Sequence, residues 1–494
     1  MTAKRAAAPA SGNPETGKLR PLLIFLAIYA LAFFLLAAHK FSVMNSNSGD
    51  ISVILNSFWN TIHGRFFYCI YLGMSHFGVH VTPAILVGLP FFWLVPSPYT
   101  LLLVQSFVIA SAGIPFFLLA QKVLRDRRAA WLMTIAFLFY PTVVTNQVNQ
   151  IHWEYWALPY VIAAIYFLEE ERFWPFVGFT LLTMTGQESM PLTAAMFGVY
   201  AAVRRRGLKW IITPIAMAGV YGLFVFKVVI PHFAGTRGYI VAHYFGDLGN
   251  TPGELIKTCL TQPWRVLNQM WELGRGVYLF EMLQPLLWVT PFFSWEFLLV
   301  LPNLGISLLV NEPAFRVIGW HYNPTAGALL CVAAVFGVRR LAFLMEQKWK
   351  WAAPQLGLAF AISAVSIASW PLWFNIEDYL TPSQGPTLQK VLTLVPRGRS
   401  VLAPVSMLGH FADRPVALHQ LQFDPHHPME DLWPREKMYQ LDYIILDGNE
   451  HRFPEDIVTR DLVMSYYTNT NYELILNETN VFVFRRRESI NLAP

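Results

Sequence analysis

The sequence predicts an all-α polytopic membrane domain followed by a small C-terminal α/β soluble domain. Three observations predict it. The chain is 55% hydrophobic and only 14% charged, against about 25% charged in an ordinary soluble domain. Its apolar residues come in blocks of roughly 15 to 22, the length a helix needs to cross about 30 Å of hydrocarbon. After residue 371 the apolar blocks stop, while Asp, Glu, Arg and Gly/Pro turns become frequent.

Residues 1–19 read as a disordered cytoplasmic tail, rich in Ala, Gly, Pro and Ser. Lys4, Arg5, Lys18 and Arg20 precede the apolar run Pro21 to Ala38, which is long for a signal h-region and is taken as an uncleaved first span. A long outer loop, 39–81, follows. The Pro-broken stretch Thr82 to Val95 is read as interfacial or re-entrant. If it crossed, Lys122, Arg125, Arg127 and Arg128 would fall outside, against the positive-inside rule.

The later blocks, 99–120, 129–145, 156–168, 173–186, 190–203 and 210–230, then alternate so that every basic cluster faces the cytoplasm. A second long outer loop covers 232–277. Blocks 278–292, 294–310, 324–338 and 352–370 complete the membrane domain over 20–371, with about 11 spans in all. An odd count places the 372–494 domain on the outer side, which for a bacterial inner membrane is the periplasm. In that domain Ser400–Val405 and Tyr443–Leu446 read as strands, Pro454–Tyr466 as a helix, and Tyr472–Phe484 as a hairpin turning near Asn477–Asn480.

The pI near 9.0 has no basic, aromatic-rich face behind it, so nucleic acid is excluded as a partner. Cys69, Cys259 and Cys331 have no metal-ligand spacing; Cys331 reads as core, and Cys69 with Cys259 as unrelated thiols or one disulfide. Phosphate-loop, dinucleotide, nucleophile-elbow and HExxH patterns are missing, which disfavours nucleotide-driven and hydrolytic chemistry.

The ionisable residues near the membrane gather on the outer side. Asp50 fits both a helix N-cap and a general base toward an acceptor hydroxyl. His76 and His80, four apart, share a face if helical. Glu154 and Glu188 lie at block edges without a local Lys or Arg. They fit snorkelling to water, or convergence on Asp50 around a divalent cation, magnesium or manganese. Lys227, Arg237 and His243 supply cations for a lipid phosphate, and His152, His321 and Tyr322 complete the polar set.

Asp50, Trp59–Asn60–Thr61, His63–Gly64, Ser75–His76–Phe77–Gly78–Val79–His80, Pro83, Tyr140–Pro141, Gln150–Ile151–His152–Trp153–Glu154, Gln187–Glu188, Ile230–Pro231, His243–Tyr244–Phe245–Gly246, Pro302–Asn303 and His321–Tyr322 carry a resemblance to the DUF2079 membrane proteins. It covers most of the chain. Two departures lower the acidic density: Gln150 stands where that family usually has Asp, and Gln187–Glu188–Ser189 where it usually has Lys-Glu-Asp or Lys-Glu-Glu. The layout is also similar to GT-C glycosyltransferases, with an acid in a long first outer loop bearing interfacial helices, further acids in later outer loops and an outer C-terminal domain.

The resemblance implies a transferase that takes a sugar from a polyprenyl-phosphate carrier at the outer face. Asp50, Glu154 and Glu188 would be catalytic, and His76, His80, His152, Lys227, Arg237, His243, His321 and Tyr322 would bind substrate. The competing class is a non-catalytic lipid or solute carrier, or an envelope assembly factor. No internal repeat of the transporter kind is visible.

Overall fold

The computed structural model describes residues 16–487, apart from 47, 149–150, 236–243, 247, 250–251, 271–272, 347–352, 420–439 and 450–463. Five helices among the described residues are long and apolar enough to cross a membrane: Leu19–Ser42, Pro98–Leu124, Leu208–Ala234, Pro324–Met345 and Ala353–Trp373. Shorter apolar helices, including Phe173–Met184, Met190–Val203 and Trp295–Leu309, stand among them. The chain is an integral membrane protein.

Burial separates lipid-facing from core helices. The Pro324–Glu346 helix is central, with Ala328 through Val335 fully buried. Leu208–Phe224 is peripheral, leaving Ile212, Val220 and Leu223 exposed. Apolar side chains that face outward on a helix of this length suit lipid rather than water. Packing runs mainly between sequence neighbours, as Leu158–Glu169 on Phe173–Met184 and Met190–Val203 on Leu208–Phe224. Thr16–Ser42 against Pro98–Ser111 and Ala353–Trp373 against Arg127–Leu138 tie the ends of the chain together.

The helices Leu158–Glu169 and Met190–Val203 give the bundle two chemically different ends. At one, Lys122 Nζ meets Glu170 at 2.7 Å, Arg204 and Arg206 lie 3.7 and 3.8 Å from Glu169, and Arg206 pairs with Glu171. These are the basic clusters predicted to share one side. At the other end of the same helices are Glu154 and Glu188.

Several predicted boundaries shift. The 99–120 span runs as Pro98–Leu124, with a break only at Ala112 between Pro98–Ser111 and Gly113–Leu124, and 129–145 divides into Arg127–Leu138 and Pro141–Gln147 because Pro141 has no amide to continue the ladder. Residues 278–292 are not one span. The Leu273–Leu283 helix passes into short 3-10 turns, since Leu287 and Trp288 both take left-handed backbone, with φ of 56° and 57°. Thr82–Val95 is a 3-10 turn, Pro83–Gly88, joined to a single helical turn, Leu89–Leu94. At 12 residues it is too short to span, and Trp93, Leu94 and Val95 are exposed. The second long loop carries two amphipathic helices, Pro252–Thr261 and Pro263–Met270.

The C-terminal residues form a five-stranded mixed sheet. Its order is Ala417–His419, Val401–Ala403, Tyr443–Asp447, Val481–Arg486, Tyr472–Glu478, parallel across the first three and antiparallel across the rest. The predicted hairpin turns at Thr479 and Asn480, both with positive φ, the geometry of a type I′ turn. Most of the predicted Pro454–Tyr466 helix lies outside the described residues. The sheet shares its core with the first loop: Met44, Cys69, Ile70 and Tyr71 pack among Leu402, Met407, Phe411 and Ile444. All three cysteines are free thiols, and Cys69 and Cys331 are buried.

Candidate functional site

Asp50 lies in the first turn of the Ser48–Ile62 helix, inside it rather than at its N-cap. A carboxylate there is favoured by the unsatisfied amides of the helix start. The helix is fixed by its apolar face, Ile51, Ile54, Leu55 and Phe58, all buried. Asn56 fixes it further by donating to the Ala412 and Arg414 carbonyls at 3.2 and 3.3 Å and accepting from the Ile70 amide at 2.9 Å. Asp50 keeps 28% of its side chain accessible, and its Oδ2 lies 3.4 Å from His321 Nδ1. Burial pushes its carboxyl up to about 6, with the charge of His80 pulling the other way.

His321 and His152 stack, ring centroids 3.8 Å apart and planes 22° from parallel. A buried amide side chain fixes the chain next to each ring. Gln105 Oε1 accepts from the His152 backbone amide at 2.9 Å and from Trp156 Nε1 at 3.3 Å. Asn323, two residues after His321, accepts from Tyr278 Oη at 2.6 Å and Ser307 Oγ at 3.0 Å and donates to the Phe315 carbonyl at 2.9 Å. Burial, reinforced by the charge of His80, pulls His321 down to about 3. For His152, burial, then His321, His80 and His76, act the same way. Both rings are therefore neutral near pH 7, with lone pairs available. His152 is 1% exposed, and neither of its ring nitrogens has a hydrogen-bond partner among the described residues.

His76 and His80 occupy a tight turn rather than a helix, closed by the His80 amide on the His76 carbonyl at 2.8 Å. Their rings still share a side, with centroids 5.8 Å apart. Trp153 lies against both, at 4.7 and 4.8 Å, and against His152 at 3.9 Å. Gly78 is required here because a Cβ would sit 2.9 Å from the backbone of Phe233 and Ala234.

Glu188 does not snorkel. It is 3% exposed, and its two oxygens meet His80 Nδ1 at 2.9 Å and the Val81 amide at 3.1 Å. Gly186 lets this segment close on the Glu154 turn, for a Cβ there would fall 2.5 Å from that of Ala157. Glu154, 7% exposed, also points inward. Burial, then the neighbouring Glu188 charge, raises its carboxyl well above the usual range, which favours the protonated form. Tyr322 stacks on Phe315 at 3.8 Å and lies within the fields of Asp50 and Glu154.

The fold thus gathers Asp50, His76, His80, His152, Glu154, Glu188, His321 and Tyr322. It leaves Lys227 exposed in a π-helical turn, Val225–Val229, with no ion pair among the described residues. Arg237 and His243 lie outside the described residues. Among the described residues, Asp50, Glu154 and Glu188 do not form a group at metal-ligand distances. The described group whose ligand atoms all lie within 4.8 Å of one another is Asp50, His152 and His321, while Glu188 is engaged by His80. Sequence reasoning missed Gln105, Trp153, Tyr278 and Asn323; of these, Gln105 carries a visible signal as the only amide side chain in the 99–120 block.

The sequence profile of the predicted membrane proteins DUF2079 matches residues 40–482. The chain belongs to that family. No curated protein matches it. Among solved structures, this DUF2079 protein is similar to ArnT from Cupriavidus metallidurans bound to undecaprenyl phosphate. The TM-score is 0.54 at 10% identity, over 94% of this chain and 98% of that one. The apo form of the same ArnT gives 0.50 at 11% identity, over 96% and 98%. At such identity the likeness establishes a shared fold along nearly the whole of both chains.

Proposed function

We propose that this DUF2079 protein is a membrane glycosyltransferase that moves a sugar from a polyprenyl-phosphate carrier to an acceptor at the outer face of the membrane. One observation carries the reading. Asp50, the stacked pair His152 and His321, the Glu188–His80 pair and the buried carboxyl of Glu154 lie together at the end of the bundle opposite the basic loops. The likeness to a protein crystallised with undecaprenyl phosphate gives the carrier class.

The chemistry follows from the protonation states. Asp50, with a carboxyl near 6, is ionised at pH 7 yet basic enough to accept the proton of an acceptor hydroxyl. The acceptor oxygen then bonds to the anomeric carbon as the bond from that carbon to the carrier phosphate breaks, inverting the centre. The phosphate leaves with the electron pair. Glu154, holding its proton, donates a hydrogen bond to the sugar or to the leaving oxygen. The Glu188–His80 pair holds the His80 turn in place beside Asp50.

The test is a proteoliposome assay with polyprenyl-phosphate-linked sugars, comparing the natural protein with Asp50→Asn and measuring carrier binding in parallel. Retained binding with turnover reduced about 100-fold or more supports the reading. Transport of carrier or solute that survives the substitution, without any transfer, favours the carrier class instead.

A further inference from the structure

The contact between Asp50 and His321 is of an unusual length. At 3.4 Å from Oδ2 to Nδ1 it exceeds the normal range for an N–H···O bond, about 2.7–3.2 Å. It does match the separation of two ligands on one small cation, since bonds of about 2.0–2.1 Å at tetrahedral angles put ligand atoms about 3.3 Å apart. His152 completes a set whose three ligand atoms lie within 4.8 Å of one another.

The second, independent observation is His152 itself. A fully buried imidazole ordinarily satisfies at least one ring nitrogen. Here neither is satisfied among the described residues, although the backbone of the same residue is held by Gln105. The ring is positioned with care and left without a protein partner.

We propose that Asp50, His152 and His321 bind one zinc ion, with an open coordination position left for a substrate oxygen. Two imidazoles and one carboxylate form a nitrogen-rich set, whereas magnesium prefers an all-oxygen shell. Three protein ligands with one position open is the arrangement of catalytic rather than structural zinc. Resting on the transferase reading, the cation would take the acceptor hydroxyl at its open position and make it more acidic. The carboxylate oxygen of Asp50 not bound to the cation accepts the proton, so the balance of bonds made and broken is unchanged.

The experiment uses the full chain purified in detergent, stripped with a chelator and titrated with Co²⁺. Stoichiometric binding with visible ligand-field absorption, displaced by Zn²⁺, is expected. His152→Ala and His321→Ala should each weaken binding at least tenfold, while His63→Ala, on the exposed end of the Asp50 helix, leaves it unchanged. Wild-type protein that develops no absorption band overturns the proposal whether or not the variants fold, and so does binding indifferent to both pocket substitutions. Transfer that persists in the chelated protein removes the cation and keeps the transferase. One bound cation with no transfer of any sugar keeps the site and removes the transferase.

Discussion

Replacing each of the two buried glutamates by glutamine should give opposite results, because their surroundings demand opposite protonation states. Glu188 accepts on both oxygens, from His80 at 2.9 Å and from the Val81 amide at 3.1 Å, an arrangement suited to the carboxylate. Glu188→Gln turns one acceptor into a donor facing a donor. A hydrogen bond to a charged group contributes about 1.5–3 kcal/mol, and a frustrated buried donor costs a similar amount. The loss corresponds to roughly a 10- to 100-fold fall in any rate that needs the His80 turn in place. Burial favours the protonated form of Glu154, which has no hydrogen-bond partner among the described residues, so Glu154→Gln matches that form in size, neutrality and donor. It should change both thermal stability and turnover by less than about threefold. The assays are thermal unfolding in detergent and transfer in proteoliposomes. Equal effects of the two substitutions, or a more damaging change at Glu154, would refute the assignment of protonation states.

Other consequences are equally specific. In cation-free protein the Asp50 carboxyl, held near 6 by burial, loses its ionised form as pH falls, so its carboxylate infrared band should fall about tenfold between pH 7 and pH 5; a midpoint near 4 would contradict this. The same raised value means that the folded state favours protonated Asp50. Its contribution to stability is therefore fullest below the ordinary carboxylate range and is lost as pH rises through about 6; Asp50→Asn should flatten that part of a stability–pH curve. Gly78→Ala places a methyl against the Phe233–Ala234 backbone at 2.9 Å and should destabilise by about 1–3 kcal/mol, read by thermal unfolding. Far from the pocket, Tyr200 Oη lies 2.9 Å from Glu169 and 2.5 Å from Glu296. One buried hydroxyl thus bridges two side chains, so Tyr200→Phe leaves both without it and should destabilise by about 1–3 kcal/mol, read by thermal unfolding.

The parts of the fold legible in the sequence are those with local causes. Apolar blocks located most helices, the basic loops gathered at one end, and the turn of the C-terminal hairpin fell at Thr479–Asn480. In the block 278–292 the breaks have a local signal that its apolar composition masks: the Leu273–Leu283 helix stops just ahead of Pro285, and Pro291 opens a second short turn; the left-handed backbone of bulky Leu287 and Trp288 carries no such signal. The candidate residues were visible as chemistry but not as pairs. Glu188 meets a histidine 108 positions earlier, and Asp50 meets one beyond the second long loop; no spacing rule reaches so far. Gln105 stands out as the amide of an apolar block, but not its partner, the His152 backbone 47 positions on; Asn323 bonds Tyr278 and Ser307 from distant elements, which no local pattern announces.

The central claim is that residues from four distant segments form one pocket in the membrane-embedded protein. Its most direct test is a short bifunctional thiol reagent applied to membranes containing Asp50→Cys with His321→Cys, in a background where partly exposed Cys259 is serine. Rapid cross-linking of that pair, slowed by added polyprenyl phosphate and missing from Lys227→Cys with His321→Cys, is the predicted result. Failure of the first pair to react, while Lys40→Cys with Asp378→Cys at the nearby ion pair of 2.7 Å does react, would contradict the pocket and the chemistry drawn from it.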